Sequence, residues 1–162
     1  DGVVIDIFTI DFPQNITQVH FIKLRLFDTK GKEVANTFYW RSNDKYEGRK
    51  TLTGPTSSGF EDLSKLKQVQ LKTRYQTYQE GDRHFIKAEI KNPSSTVAFF
   101  TQLQLLGQDK KPVRPSFYTD NFFSLLPGES KTVIIETAAS DMPSEPTFVV
   151  KGWNIKPSSF KL

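Results

Sequence analysis

The sequence contains no cysteine, so disulfide bonds and thiolate metal sites are excluded. It has only two histidines, and no apolar run approaches the roughly 20 residues that a membrane-spanning helix needs. It also lacks a strong charge of one sign, because 22 lysines and arginines are interleaved with 18 aspartates and glutamates. These absences argue against a disulfide scaffold, a spanning segment and a basic nucleic-acid-binding tail.

The 162 residues are 36% hydrophobic and 13% aromatic, enough for one sizeable core or two small ones. Runs of β-branched and aromatic residues alternate with turn signals, and no helical period appears. About seven strands at spacings of 8–12 residues follow Val69, a pattern that predicts an antiparallel sandwich, with a partly closed barrel as the alternative. The predicted strands are 2–10, 19–27, 34–40, 69–77, 83–91, 97–106, an interrupted segment 113–123, 131–137 and 147–155.

The sequence predicts two regions joined by a connector. Residues 1–45 carry three predicted strands, too few for an independently stable sandwich, and so predict the closing part of a β-sandwich whose earlier strands are missing. Residues 46–65 are rich in Gly, Ser, Thr and Lys and predict a connector, with one helical turn near 60–63. Residues 66–157 predict the main sandwich and 158–162 a tail. We expect the open edges in 1–45 to be covered by a second copy of the chain or by the other sandwich.

Catalytic chemistry has little support in the sequence. His20 and His84 lie in predicted strands, and with Asp82 as the nearest carboxylate they do not complete a metal site. No nucleophile elbow, phosphate loop or dinucleotide fingerprint occurs. Nothing brings together two of the carboxylates that a glycosidase would need, the candidates being Asp120, Glu129, Glu136 and Asp141. We therefore expect no catalysis by this chain alone, and no metal or cofactor.

Aromatic residues are the remaining candidates for a binding role. Exposed rings would stack on sugars or bases, whereas buried rings would fill a sandwich. Their placement on strands predicts burial, and the scattered cations make a nucleic-acid partner the weakest hypothesis. The residues concerned are Phe38, Tyr39, Trp40, Phe117, Tyr118, Phe122, Phe123 and Trp153.

Two segments resemble a known family. Residues 117–130, FYTDNFFSLLPGES, with the later Gly152-Trp153-Asn154, resemble the closing immunoglobulin-like domain of glycoside hydrolase family 2, in the β-mannosidase, exo-β-D-glucosaminidase and endo-β-mannosidase branch. Thr119 stands where that branch usually has serine. Residues 21–42, which end in FYWRS, are similar to the end of the preceding β-sandwich in these enzymes.

The resemblance implies an all-β, immunoglobulin-like antiparallel β-sandwich preceded by a partial second β-sandwich. It also implies a periplasmic or extracellular parent enzyme that cleaves β-linked mannosides or glucosaminides, with its catalytic glutamates on an upstream β/α barrel. No residue here matches those glutamates, so the expected role is a non-catalytic region that packs against that barrel. The alternative is a carbohydrate-binding module for an oligosaccharide, with Tyr118, Asp120 and Asn121 in the sugar site.

Overall fold

The computed structural model describes residues 7–43 and 59–162. The described residues contain ten strands and two short 3-10 turns, so the protein is all-β as predicted. The chain divides into two compact units, Asp1–Lys65 and Leu66–Leu162. Most of the predicted strand 2–10 and most of the connector lie outside the described residues, and residues 7–10 are not in a strand. Within the described residues, no helix has the length and apolar character needed to cross a membrane.

The first unit contains an antiparallel hairpin of β1 (Val19–Phe27) and β2 (Glu33–Ser42), which confirms the prediction there. The turn is closed by Asp28, whose Oδ1 accepts hydrogen bonds from the N–H groups of Lys30 and Lys32, both at 2.9 Å. Gly31 adopts a φ of +76°, a conformation that glycine enters without steric cost. A 3-10 turn at Glu61–Lys65 matches the helical turn expected near 60–63.

The hairpin carries apolar side chains on both of its faces. Phe21 lies opposite Trp40 and contacts Phe38 on one face, with ring centroids 5.6 Å apart. The other face carries Leu24 and Leu26 at 36% and 62% exposure. A two-stranded ladder alone has no second layer to cover these faces.

The second unit is a sandwich of two four-stranded antiparallel sheets. One sheet has the order β3-β4-β8-β6 and the other the order β10-β9-β5-β7. A 3-10 turn, Ala139–Asp141, follows β8. The strands are β3 (Lys72–Glu80), β4 (Arg83–Lys91), β5 (Ala98–Leu106), β6 (Phe117–Tyr118), β7 (Phe123–Leu125), β8 (Ser130–Ala138), β9 (Thr147–Gly152) and β10 (Ile155–Lys161).

The core lies between these two sheets, because alternate residues of each strand point inward. Phe148 on β9 is completely buried and packs against Tyr75 and Phe160, with ring centroids 5.1 and 4.8 Å away. The other aliphatic residues at its centre include Ile86, Ala88, Ile90, Leu103, Leu105, Val133, Ile135 and Val150.

The end of the chain differs from the prediction. Residues 147–155 form not one strand but β9 and the start of β10, which meet in a hairpin at Trp153 and Asn154. Residues 158–162 were predicted as a tail, and this is wrong because β10 continues to Lys161. The sequence IKPSSFK has no apolar alternation, so pairing with β9 decides this strand.

Candidate functional surface

Asn154 connects three segments of the sandwich through its buried side chain. Its Oδ1 accepts a hydrogen bond from the N–H of Phe99 at 2.9 Å. Its Nδ2 donates to the carbonyl oxygens of Lys67 at 2.9 Å and Val97 at 2.8 Å. Because all three partners are backbone groups, this amide fixes the β9–β10 turn against β5 and the chain leading to β3.

Gly152 allows the same turn to approach β5 closely. A Cβ at this position would lie 2.8 Å from the carbonyl oxygen of Phe100 and 2.5 Å from Cδ1 of Ile155. The next residue, Trp153, donates its N–H to the carbonyl of Phe99 at 3.0 Å. The Trp153 side chain is 59% exposed, so the prediction that it packs between the sheets is wrong.

Two phenylalanines with left-handed backbone conformations lie beside this turn. Phe100 and Phe122 have φ values of 57° and 58° and are 39% and 50% exposed. Their ring centroids are 5.4 Å apart, with the ring planes at 49°. Phe100 donates its N–H to Oγ of Ser124 at 3.1 Å. Because the backbone at Gly152 and Trp153 lies against Phe99 and Phe100, we refer to Phe100, Phe122 and Trp153 as the aromatic cluster.

A register irregularity explains why Phe100 points outward. The pairing of β5 with β7 shifts between Ala98 and Thr101, which reverses the inward and outward alternation at that point. Phe99 is therefore buried, at 4% exposure, while its neighbour Phe100 is 39% exposed.

The burial prediction for the other aromatic residues is partly correct. Phe123 is buried, and Tyr118 and Phe38 are half-buried. Tyr39, Trp40, Phe117 and Phe122 are each more than 40% exposed, so for them the prediction is wrong.

Tyr118 and Asn121, two of the proposed sugar-site residues, bond to β5. The hydroxyl of Tyr118 accepts a hydrogen bond from the N–H of Leu105 at 2.9 Å, which links the two sheets. Burial raises the pKa of Tyr118, and this hydrogen bond partly opposes the rise. The side chain of Asn121 accepts from the N–H of Leu103 at 2.8 Å and donates to its carbonyl at 2.9 Å.

Asp120, the third sugar-site candidate, also bonds within the domain. Its Oδ2 pairs with Nζ of Lys131, and its Oδ1 accepts from the N–H of Asn121 at 2.7 Å. The structure thus brings the three candidates together as neighbours along the β6–β7 connection, where they hold the sandwich. A role for them in sugar binding stays a prediction.

Three of the four carboxylates considered for catalysis, Asp120, Glu129 and Glu136, have structural partners in this unit, and Asp141 lies in the 3-10 turn after β8. Glu136 pairs with Arg83 at 2.8 Å, and Oε2 of Glu129 accepts from the N–H of Leu126 at 2.8 Å. His84 is half-buried on β4, and His20 lies in the first unit beside Phe12, with ring centroids 5.3 Å apart. In residues 7–43 and 59–162, no group of three histidine, aspartate or glutamate side chains could hold a metal ion.

The outer face of the β3-β4-β8 sheet is charged. Lys72 lies opposite Lys91, and Arg74 lies opposite Glu89, with Lys87 on the same face. We call these five residues the charged face. Like charges placed directly across a ladder repel each other, so this arrangement depends on solvent to screen them.

Two separate antiparallel sheets of four strands, joined by a chain that passes from β6 in one sheet to β7 in the other, define an immunoglobulin-like sandwich. Residues 51–155 match the family model described as the exo-β-D-glucosaminidase Ig-fold domain. The chain belongs to this family, which confirms the resemblance to glycoside hydrolase family 2.

Curated relatives carry the same description. The chain is 30% identical to an exo-β-D-glucosaminidase of Streptomyces avermitilis over 149 residues, which is 86% of this chain and 16% of that protein. It is 27% identical to an exo-β-D-glucosaminidase of Amycolatopsis orientalis over 157 residues, covering 90% of this chain and 15% of the relative. The chain therefore spans about one-sixth of the length of these relatives.

A solved structure shares the fold. The exo-chitosanase CsxA of Amycolatopsis orientalis superimposes with a TM-score of 0.77 at 24% identity, over 92% of this chain and 19% of that protein. A second structure of the exo-β-D-glucosaminidase CsxA gives a TM-score of 0.80 over 96% of this chain.

Proposed function

We propose that this chain is the non-catalytic, C-terminal accessory region of a family 2 exo-β-D-glucosaminidase, and that the catalytic barrel lies upstream in the same polypeptide. The observation that carries this proposal is the family match, combined with the much greater length of the relatives. The relatives named as enzymes are about six times longer than the stretch that this chain matches. The family model and both curated relatives carry the glucosaminidase description, so the mannosidase branch is not proposed.

The carboxylates of the sandwich support a non-catalytic role. A retaining glycosidase needs two carboxyl groups about 5 Å apart, one acting as acid and one as nucleophile. Glu129 and Glu136 are seven residues apart across the start of β8, a separation on the order of 20 Å along an extended strand. Asp120 and Glu136 are each committed to an ion pair.

We also propose that residues 1–45 close a β-sandwich whose earlier strands lie upstream, and the hairpin supports this. Leu26, Phe27 and Val34 are 62%, 51% and 55% exposed in the described structure. Strands added from the upstream chain would cover such side chains, as β5, β7, β9 and β10 cover the core of the sandwich.

The test compares the 162-residue chain with the longer polypeptide encoded by its complete reading frame. We expect the longer polypeptide to hydrolyse a chromogenic β-D-glucosaminide much faster than the matching β-D-mannoside, and the 162-residue chain to hydrolyse neither. Hydrolysis by the 162-residue chain that disappears in Glu136→Gln or Asp120→Asn would overturn the proposal. So would a longer polypeptide without glucosaminidase activity.

A further inference from the structure

The two outer faces of the sandwich have opposite chemistry. The charged face on the β3-β4-β8 sheet presents three lysines, an arginine and a glutamate. On the other sheet, Gln102 lies opposite Lys151, Gln104 lies opposite Val149, and Nζ of Lys151 donates to Oε1 of Gln104 at 3.2 Å. These residues are half-buried, and the aromatic cluster lies on the same sheet at one end. Aromatic enrichment with few charges is typical of the centre of a protein interface.

The aromatic cluster is held rigidly. Gly152 and Asn154 fix the backbone on either side of Trp153, and the hydrogen bond from Phe100 to Ser124 fixes β5 beside it. Phe100 and Phe122 adopt a backbone conformation that disfavours any residue with a Cβ, yet both are large and exposed. A surface whose side chains are already ordered loses little conformational entropy when it binds.

The ring geometry favours a protein partner over a sugar. A sugar stacks on a flat aromatic face and needs polar groups around it, whereas Phe100 and Phe122 are inclined at 49°. The neighbouring polar side chains, Asn121 and Ser124, already accept hydrogen bonds from the backbone N–H groups of the two phenylalanines. Tilted ring pairs are common where protein surfaces pack, and tryptophan is enriched among the residues that dominate binding energy.

We propose that the aromatic cluster is the surface through which the sandwich docks onto the upstream part of the same polypeptide, with Trp153 inserted into an apolar pocket there. The inference rests on the proposed function. The length of the relatives supplies the occupant, since about five-sixths of each lies outside the stretch that this chain matches. The charged face, by contrast, stays in solvent.

Hydroxyl-radical footprinting read by mass spectrometry tests this on the 162-residue chain and on the longer polypeptide. Trp153 should be oxidised about fivefold more slowly in the longer polypeptide, because the centre of an interface excludes water. Phe117, which is 57% exposed on the β3-β4-β8-β6 sheet, is the matched control and should react equally in both. Equal oxidation of Trp153 in the two proteins, or equal protection of Phe117, would overturn the docking proposal.

Two further experiments test whether the aromatic cluster binds a sugar or a second copy of the chain instead. If glucosamine oligomers slow the oxidation of Trp153 in the 162-residue chain, the cluster binds sugar and the proposal is wrong. If Trp153 becomes protected in that chain as its concentration rises, the cluster binds a second copy and the proposal is again wrong. Absence of both effects, together with protection in the longer polypeptide, supports docking.

Variants provide an independent readout. Trp153→Ala should leave the melting temperature of the 162-residue chain within about 2 °C, because 59% of the side chain is exposed there. In the longer polypeptide the same change should lower the melting temperature of the sandwich and make it a better protease substrate, whereas Phe117→Ala should not. Identical behaviour of the two variants would contradict the inference. Glucosaminidase assays on the unmodified longer polypeptide report separately on the proposed function.

Discussion

The hairpin and the sandwich use strands of the same kind with different results. β1 and β4 are each nine residues long and carry apolar side chains on at least one face. In the sandwich, Ile86 on β4 reaches 1% exposure because a second sheet packs over it. In the hairpin, Leu26 on β1 remains 62% exposed. A pattern of residues thus forms a strand, but only a second layer forms a core.

The hairpin and the sandwich should also differ in stability. In the sandwich the free energy of unfolding should depend strongly on individual apolar residues. In the hairpin the free energy of unfolding should depend on apolar residues only when further strands are present. The following predictions test this contrast, beginning with the largest effect.

Phe148→Ala should produce the largest loss of stability. The side chain is completely buried and contacts Tyr75 and Phe160, so its removal leaves a cavity and costs about 3–5 kcal/mol of unfolding free energy. Urea denaturation monitored by circular dichroism measures this. Phe27→Ala in the hairpin, where the ring is 51% exposed, is the matched control. A loss at Phe27 equal to that at Phe148 would remove the distinction between the units.

Asn154→Ala should cause the second-largest loss, about 2–3 kcal/mol of unfolding free energy. The change removes hydrogen-bond partners from the buried N–H of Phe99 and from the carbonyls of Lys67 and Val97. Asn36→Ala, which removes an exposed bond to Glu33 at 2.7 Å, should change stability by less than about 0.5 kcal/mol. Amide hydrogen exchange at Phe99 should accelerate in the Asn154 variant alone, and unchanged exchange would contradict the bridging role.

Tyr118→Phe should cost about 1 kcal/mol, because the N–H of Leu105 loses its acceptor. It should also change the response to alkali. Burial raises the pKa of Tyr118 in the folded state above the ordinary tyrosine value of 10.0. Its contribution to stability is therefore complete below pH 10.0 and is lost as the pH rises through the folded-state pKa.

The measurement for Tyr118 is the difference in unfolding free energy between the parent chain and the variant at several alkaline pH values. That difference should shrink as the pH rises past about 10. A constant difference at Tyr118 would contradict the raised pKa.

Leu26→Ala should have the smallest effect in the 162-residue chain, within about 0.5 kcal/mol. In the longer polypeptide the same change should cost about 2 kcal/mol or more, if upstream strands bury this face. Equal effects in the two proteins would show that the hairpin face is never covered, and would argue against a truncated sandwich.

Local sequence patterns predicted much of the fold. The segment RHFIKAEIK matches β4 at both ends, because apolar residues recur at every second position from Ile86 beside a clear turn. VHFIKLRLF matches β1, although its alternation slips by one residue at Ile22. β10 was missed because its sequence has little alternation and pairing with β9 makes it a strand. The sequence predicts that β3 begins at Val69, but the strand begins at Lys72, since Val69 forms only an isolated bridge with Ile155.

The candidate surface was harder to predict. The sequence predicts that the tryptophan of the motif Gly152-Trp153-Asn154 lies in the core, whereas the structure exposes it. Gly152 was the residue that could have indicated this outcome. A glycine within a strand often marks a close approach of another backbone, which changes the direction of the neighbouring side chains. The exposure of Phe100 and Phe122 depends on the register shift of β5 and on left-handed backbone conformations, which arise from pairing between distant strands.

The sequence by itself determined that this protein is all-β, where most of its strands lie and which family it resembles, because strand alternation and turn chemistry are local properties. The tertiary structure alone decided which aromatic residues face solvent and which polar groups hold the sheets together. Those outcomes depend on contacts between segments far apart in the chain, such as Asn154 with Val97 and Tyr118 with Leu105.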